Sequence, residues 1–251
     1  ALTADTALAV LSRSTPAART RAASDVEVWI ERVFGARLDP QAQARVAELF
    51  GQLARGRGEH NLLALVLGNS PALLAQGALG DPAEFDAALT ALPGLLKIEA
   101  VAKPLTHFLG PVQSGPMLPA PAAQAVRGYT LSFGPRGPLH QLVPAGLSVF
   151  WSTKGNAYRV AVGGAAAVRH LQPPAKSLAE LPGAPAHLDR IDQASFVLLA
   201  RPVLLELLPE APRPNQEPLI SISAGSRGAT GFVNAAIPNE VIQYYARPDS
   251  P

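Results

Sequence analysis

Two turn signals constrain this chain most. Lys154-Gly155-Asn156 separates the runs 147–153 and 157–162, and Gly225-Ser226-Arg227-Gly228 separates 219–224 and 229–236. Glycine allows the backbone conformation that a tight reversal needs, and the flanking runs alternate at period two. Tyr158, Val160 and Val162 alternate with Arg159 and Ala161, and the segment 219–224 alternates apolar residues with Ser. Both therefore read as β-hairpins. Antiparallel hairpins with helical segments elsewhere predict an α+β fold, an antiparallel sheet covered by helices.

Helix signals are equally local. Asp39-Pro40 and Asp81-Pro82 place a capping carboxylate before a proline at the first helical position. Val46, Leu49, Phe50 and Leu53 follow the first, and Phe85, Ala88, Leu89 and Leu92 the second, at helical spacing. Ser24 with Glu27 reads as a capping box opening a helix with Val26, Trp29, Ile30 and Val33 on one face. The polar segment 12–23 before it reads as a loop. Residues 6–11 and 196–200 read as strands, 95–103 as a strand, and 62–67 as either strand or helix. A short helix is expected after Gly163-Gly164, a helical turn at 177–180, a short helix from Pro202 to residue 208, and a last helix after Pro238.

Residues 110–121 hold four Pro and two Gly. Proline donates no backbone N–H, so this stretch reads as a linker or long loop. The expected division is a helix-rich lobe at 1–109, a linker at 110–122 and a hairpin-rich lobe at 123–251. The order strand, helical segment, hairpin, helix recurs at 6–171 and 195–246. The lobes thus read as candidate pseudo-repeats, with a helical insertion in the first.

Composition narrows function. The formal net charge is +2, and residues 1–60 interleave eight Arg with seven acidic residues. Nucleic-acid binding needs a concentrated basic face, so none is expected. Cys is absent, which excludes disulfides, thiolate ligands and a Cys nucleophile. The sole Met is Met117 and the chain begins at Ala1. A removed leader is expected upstream: a signal peptide, a lipoprotein leader or a membrane anchor.

From Tyr158 onward the segments YRVAVGGAAAVRHL, SLAELPGAPAHLDRI, ASFVLLARPVLLELLPEAP and PLISISAGSRGATGFVNAAIPNEVI follow in order. This succession resembles a loosely defined family of exported bacterial proteins of unknown function. The opening TADTALAVLSRS is similar to the first strand of such domains. The resemblance covers about two fifths of the chain and carries no catalytic residues. It implies a periplasmic or surface-exposed protein, often anchored by a lipid or an N-terminal helix, without known enzymatic activity.

No local constellation points to catalysis. The histidines, His60, His107, His140, His170 and His187, have no short metal spacing. Residues 160–168 (VAVGGAAAV) place glycines between a strand and a helix, but lack both GxGxxG and the P-loop lysine. Ser70, Ser114 and Ser226 read as turn or loop residues, and no GxSxG occurs. Glu27/Glu31 and Asp189/Asp192 read as solvated charges. Aromatic pairs are the remaining candidates. Phe150 and Trp151 point to opposite faces of one strand, and Tyr244 and Tyr245 diverge on the last helix, so Trp151, Tyr244 and Tyr245 are the candidate interface residues.

The expected function is a non-enzymatic exported protein acting in protein–protein interaction or envelope assembly, with no cofactor and no metal. The alternative is a carrier or sensor of an apolar ligand such as a lipid. Hydrolase activity is a third reading, without a motif behind it.

Overall fold

A computed structural model describes residues 5–34, 38–118, 126–135, 137–172, 194–203, 205, 219–227 and 230–246. The fold class is α+β with antiparallel strands. Two compact units interleave along the chain: the first takes Ala1–Arg13, Leu62–Ala75 and Gln172–Pro251, the second Ser14–Asn61 and Gln76–Leu171. The division does not fall at the proposed linker, 110–122. Residues Val112–Leu118 instead form strand β4, paired antiparallel with β5 (Val126–Phe133). Proline is tolerated there because β4 lies at a sheet edge, and the register shifts between Ser114 and Met117.

The second unit opens with helix α1 (Pro16–Phe34), then α2 (Pro40–Gly56). Helix α1 starts eight residues before Ser24, so the expected loop at 12–23 and the cap at Ser24 are both corrected. Thr15 accepts from the Ala18 amide at 3.2 Å and Pro16 follows it. Ser24 sits inside the helix and donates to the Thr20 carbonyl at 3.1 Å. The Asp39 cap is as expected, accepting from the Ala42 amide at 2.8 Å. Asp81 likewise accepts from the amides of Ala83 and Glu84 at the start of α3 (Pro82–Ala91).

The expected strand at 95–103 is also corrected. A 3-10 helix, Leu92–Lys97, leads into α4 (Glu99–Leu109). Leu95, Ile98 and Val101 recur every three residues, which is a helical interval. They pack with Ile30, Leu38, Ala42 and Val46 in one core cluster. Helix α4 thus closes the apolar side of α1 and α2.

The first unit's strands hydrogen-bond in the order β10-β9-β8-β1-β2-β3, and the second unit's in the order β2-β3-β7-β6-β5-β4. The strands are β1 (Thr6–Arg13), β2 (Arg57–Val66), β3 (Ala72–Leu79), β6 (Leu147–Lys154), β7 (Ala157–Gly163), β8 (Ala194–Ala200), β9 (Ile220–Arg227) and β10 (Thr230–Ala236). Strands β2 and β3 give residues to both units. The ambiguous segment 62–67 is thereby strand, and β3 occupies residues for which the sequence offered no element.

Both expected hairpins form. Lys154 pairs with Ala157 across Gly155, whose φ of 58° is the left-handed conformation that glycine permits. Arg227 pairs with Thr230 in the other. A short helix α5 (Pro138–Leu142), a 3-10 helix at Ala165–Leu171 and a last helix α6 (Asn239–Tyr245) complete the described elements. The helical turn at 177–180 and most of the helix after Pro202 lie outside the described residues. No helix among the described residues is long and apolar enough to cross a membrane.

Candidate interaction surface

The sequence candidates separate on inspection. Trp151 is 1% exposed and Phe150 is buried as well, so neither offers an aromatic surface. For Trp151 the reason is helix α3, which places Asp86 against that side of the sheet. Arg127 on β5 pairs directly with Trp151 on β6, so the two side chains leave the sheet on the same face. Both reach Asp86. Trp151 Nε1 donates to Asp86 Oδ1 at 3.0 Å, and Arg127 donates to Asp86 Oδ2 in an ion pair. Tyr129, two residues along β5, meets the Trp151 ring edge-on at 6.0 Å between centroids.

One residue earlier on α3, Phe85 packs on Tyr158 at 4.5 Å, and Tyr158 donates its hydroxyl hydrogen to Asn61 Oδ1 at 2.8 Å. The Trp151 indole, the Arg127 guanidinium and the Tyr158 hydroxyl each find a side-chain partner within this set. The set holds α3 onto strands β5, β6 and β7, which is a structural task.

Burial has a chemical consequence at the two tyrosines. It pushes the Tyr129 phenol up to about 12 and raises Tyr158 as well. An unfolded phenol ionises near ~10. Stability is therefore fully present below about pH 10 and falls as the pH climbs towards 12, because only the unfolded chain gains the charge easily. Unfolding midpoints in urea, measured at stepped pH, should decline over that window. In Tyr129→Phe the decline should be shallower, and an equally steep decline would remove the assignment.

The remaining aromatic candidates lie in the first unit. Tyr244 and Tyr245 do not diverge: their rings meet edge-to-face at 5.2 Å. Tyr245 is exposed on α6 and Tyr244 is partly buried. The glycine turn after β7 enters a 3-10 helix of seven residues. Ser114 belongs to β4 and not to a loop. His60 is exposed on β2, and His140 and His170 sit on α5 and the following 3-10 helix. His187 and Asp189/Asp192 lie outside the described residues. No group of three or more His, Cys, Asp or Glu among the described residues could hold a metal ion.

What the sequence did not single out is a sheet face. Val10 on β1 pairs with Leu198 on β8, Leu198 with Ile222 on β9, and Ile222 with Ala235 on β10. The neighbouring row runs Ser12, Phe196, Ala224, Val233. Directly paired residues share a face, so these rows form one surface without a charge. Phe196 is 37% exposed, Ile222 36% and Val233 75%. The alternate residues Ala9, Val197, Leu199 and Ser221 are buried. Leu63 on β2 and Leu73 on β3 are likewise exposed between buried neighbours. An ordinary wet face of an antiparallel sheet is polar. This one is apolar, and its alternation in the sequence (Ile220, Ile222, Ala224 against Ser221, Ser223) puts the serines on the opposite face.

No family model, no curated protein and no solved structure matches this chain.

Proposed function

We propose that this chain is a non-enzymatic binding protein of the bacterial cell envelope, and that it takes a protein partner on the apolar face of β1, β8, β9 and β10. One observation carries the reading: two adjoining rows of that face contain no charged residue, while Phe196, Ile222 and Val233 stay in contact with solvent. Contiguous exposed apolar surface on a folded protein favours a partner surface of matching chemistry. Export to the periplasm or cell surface is supported by the resemblance, mainly of residues 158–246, alone. The mutually bonded polar set around Asp86 is consistent with a role other than catalysis.

Site-directed photo-crosslinking in the producing cell tests this. A crosslinking residue in place of Phe196 or Ile222 should give protein adducts, and one in place of exposed Glu31 on α1 should not. Ile222→Glu should abolish the adduct from position 196 without altering the circular dichroism. Adducts consisting of lipid would transfer the site to the apolar-ligand reading. Equal yields from positions 31, 196 and 222 would sink the docking face.

A further inference from the structure

The outer strands β4 and β10 are treated differently by the sequence. An open strand edge invites pairing, and proteins blunt such edges with proline, bulges or charge. Strand β4 carries Pro116 and a register shift between Ser114 and Met117. Strand β10, Thr-Gly-Phe-Val-Asn-Ala-Ala, has no proline, no charge and an unbroken register against β9. It is also exposed at every position but Phe232, which is partly buried.

The sheet's registers fix which backbone groups of β10 face outward. The Arg201 amide donates to the Ala7 carbonyl, and alternation carried through the β1–β8, β8–β9 and β9–β10 registers makes Arg227 and Thr230 a hydrogen-bonded pair. Such pairs alternate along an antiparallel ladder. Phe232, Asn234 and Ala236 therefore bond to β9, and Gly231, Val233 and Ala235 turn their N–H and C=O groups away from it. No strand follows β10 in the sheet order of the described residues.

We infer that the outer edge of β10 receives the β10 strand of a second copy of this chain, antiparallel, about a two-fold axis at Val233. In that register Val233 pairs with its own equivalent and Gly231 pairs with Ala235. All three outward residues are then matched in hydrogen-bonded pairs at once. A shift of two residues in either direction leaves one of them without a counterpart. Self-pairing sets each residue against its own sequence reversed, so a charge near the axis would meet its own sign. Strand β10 carries none, which suits a second copy of itself better than a charged peptide. The pairing also brings together two copies of Val233, whose side chain is 75% exposed in the single chain. It uses strand-edge backbone groups and shares with the docking face only the Val233 and Ala235 side chains.

The full chain contains no Cys, so one introduced thiol reports the axis cleanly. Val233→Cys should form an intermolecular disulfide under mild oxidation, because hydrogen-bonded antiparallel pairs hold their Cα atoms at about 5.5 Å, within disulfide reach. Glu31→Cys should not. Sedimentation equilibrium should give twice the 26.1 kDa chain mass for the native protein. Val233→Lys should give the single mass by placing two ammonium groups together. Val233→Pro should do the same by removing an outward N–H while sparing the bonds to β9. Circular dichroism identical to native keeps both variants interpretable. A native protein of single mass at every concentration overturns the proposal, as does a dimer that neither variant disturbs or a Val233→Cys chain that stays unlinked.

Discussion

Trp151→Ala is expected to cost about 3–5 kcal/mol of folding free energy, the usual penalty for emptying a buried aromatic site. The residue is almost wholly enclosed, and its indole is bonded to Asp86 on α3 across 65 positions of sequence. Truncation would open a cavity beside Tyr129 and release one of the two donors that hold α3 on the sheet. Arg127→Ala removes the other donor, but Arg127 is half exposed, and such a pair contributes about 0–1 kcal/mol. Trp151→Phe lies between them, since it keeps most of the volume and loses the Nε1 hydrogen bond, a change of about 0.5–1.5 kcal/mol plus a small packing loss. Urea titration followed by circular dichroism ranks the three. A Trp151→Ala midpoint no lower than that of Arg127→Ala would show that Asp86 and the indole do not anchor the helix.

The second large effect belongs to Gly77 on β3. A Cβ there would fall onto the His60 carbonyl oxygen, with Tyr158 Cε1 at 3.0 Å and Asn61 Oδ1 at 3.1 Å. The carbonyl is part of β2 and cannot retreat without opening the β2–β3 pairing. The two side-chain atoms belong to the Tyr158–Asn61 hydrogen bond. Gly77→Ala is therefore expected to cost at least the ~1–3 kcal/mol of ordinary overpacking. Gly94→Ala is the control. A Cβ at Gly94 meets nothing within 4 Å, and the site lies in the 3-10 helix Leu92–Lys97. That substitution should be neutral or stabilise by up to ~1 kcal/mol through the unfolded chain. Equal midpoints for the two alanines would refute the close approach at Gly77.

The contrast between these residues explains what the sequence made legible. Asp39, Asp81 and Gly155 act within a few positions of themselves, so their caps and turn could be read directly. Ser24 misled because the same local grammar fits Thr15-Pro16 earlier in the chain, and the helix starts at the first acceptable cap. Strand β3 escaped notice because Ala72, Gln76, Gly77 and Ala78 have little strand preference of their own. Its conformation comes from its neighbours, as in the bond from the Leu79 amide to the Asn156 carbonyl at 2.8 Å. Trp151 was read as a surface aromatic because nothing near it in sequence announces Asp86. The apolar face was hidden for a related reason. Alternation identifies the strands β8 and β9, but which of their two faces is covered depends on what packs there.

The interleaving of the two units also sets a timetable. Ala9 of β1 pairs with Leu199 of β8, whereas the last residue of the second unit is Leu171. At a synthesis rate of ~5–20 residues per second, the ~190 positions between those partners take on the order of 10–40 s to emerge. Through that interval the apolar segment Ala7 to Leu11 has only one of its two strand neighbours, β2, because β8 is still unmade, and the second unit has all its residues once Leu171 is added. A chain organised this way keeps one edge of β1 open until late in its synthesis, exposed to whatever binds nascent apolar strands.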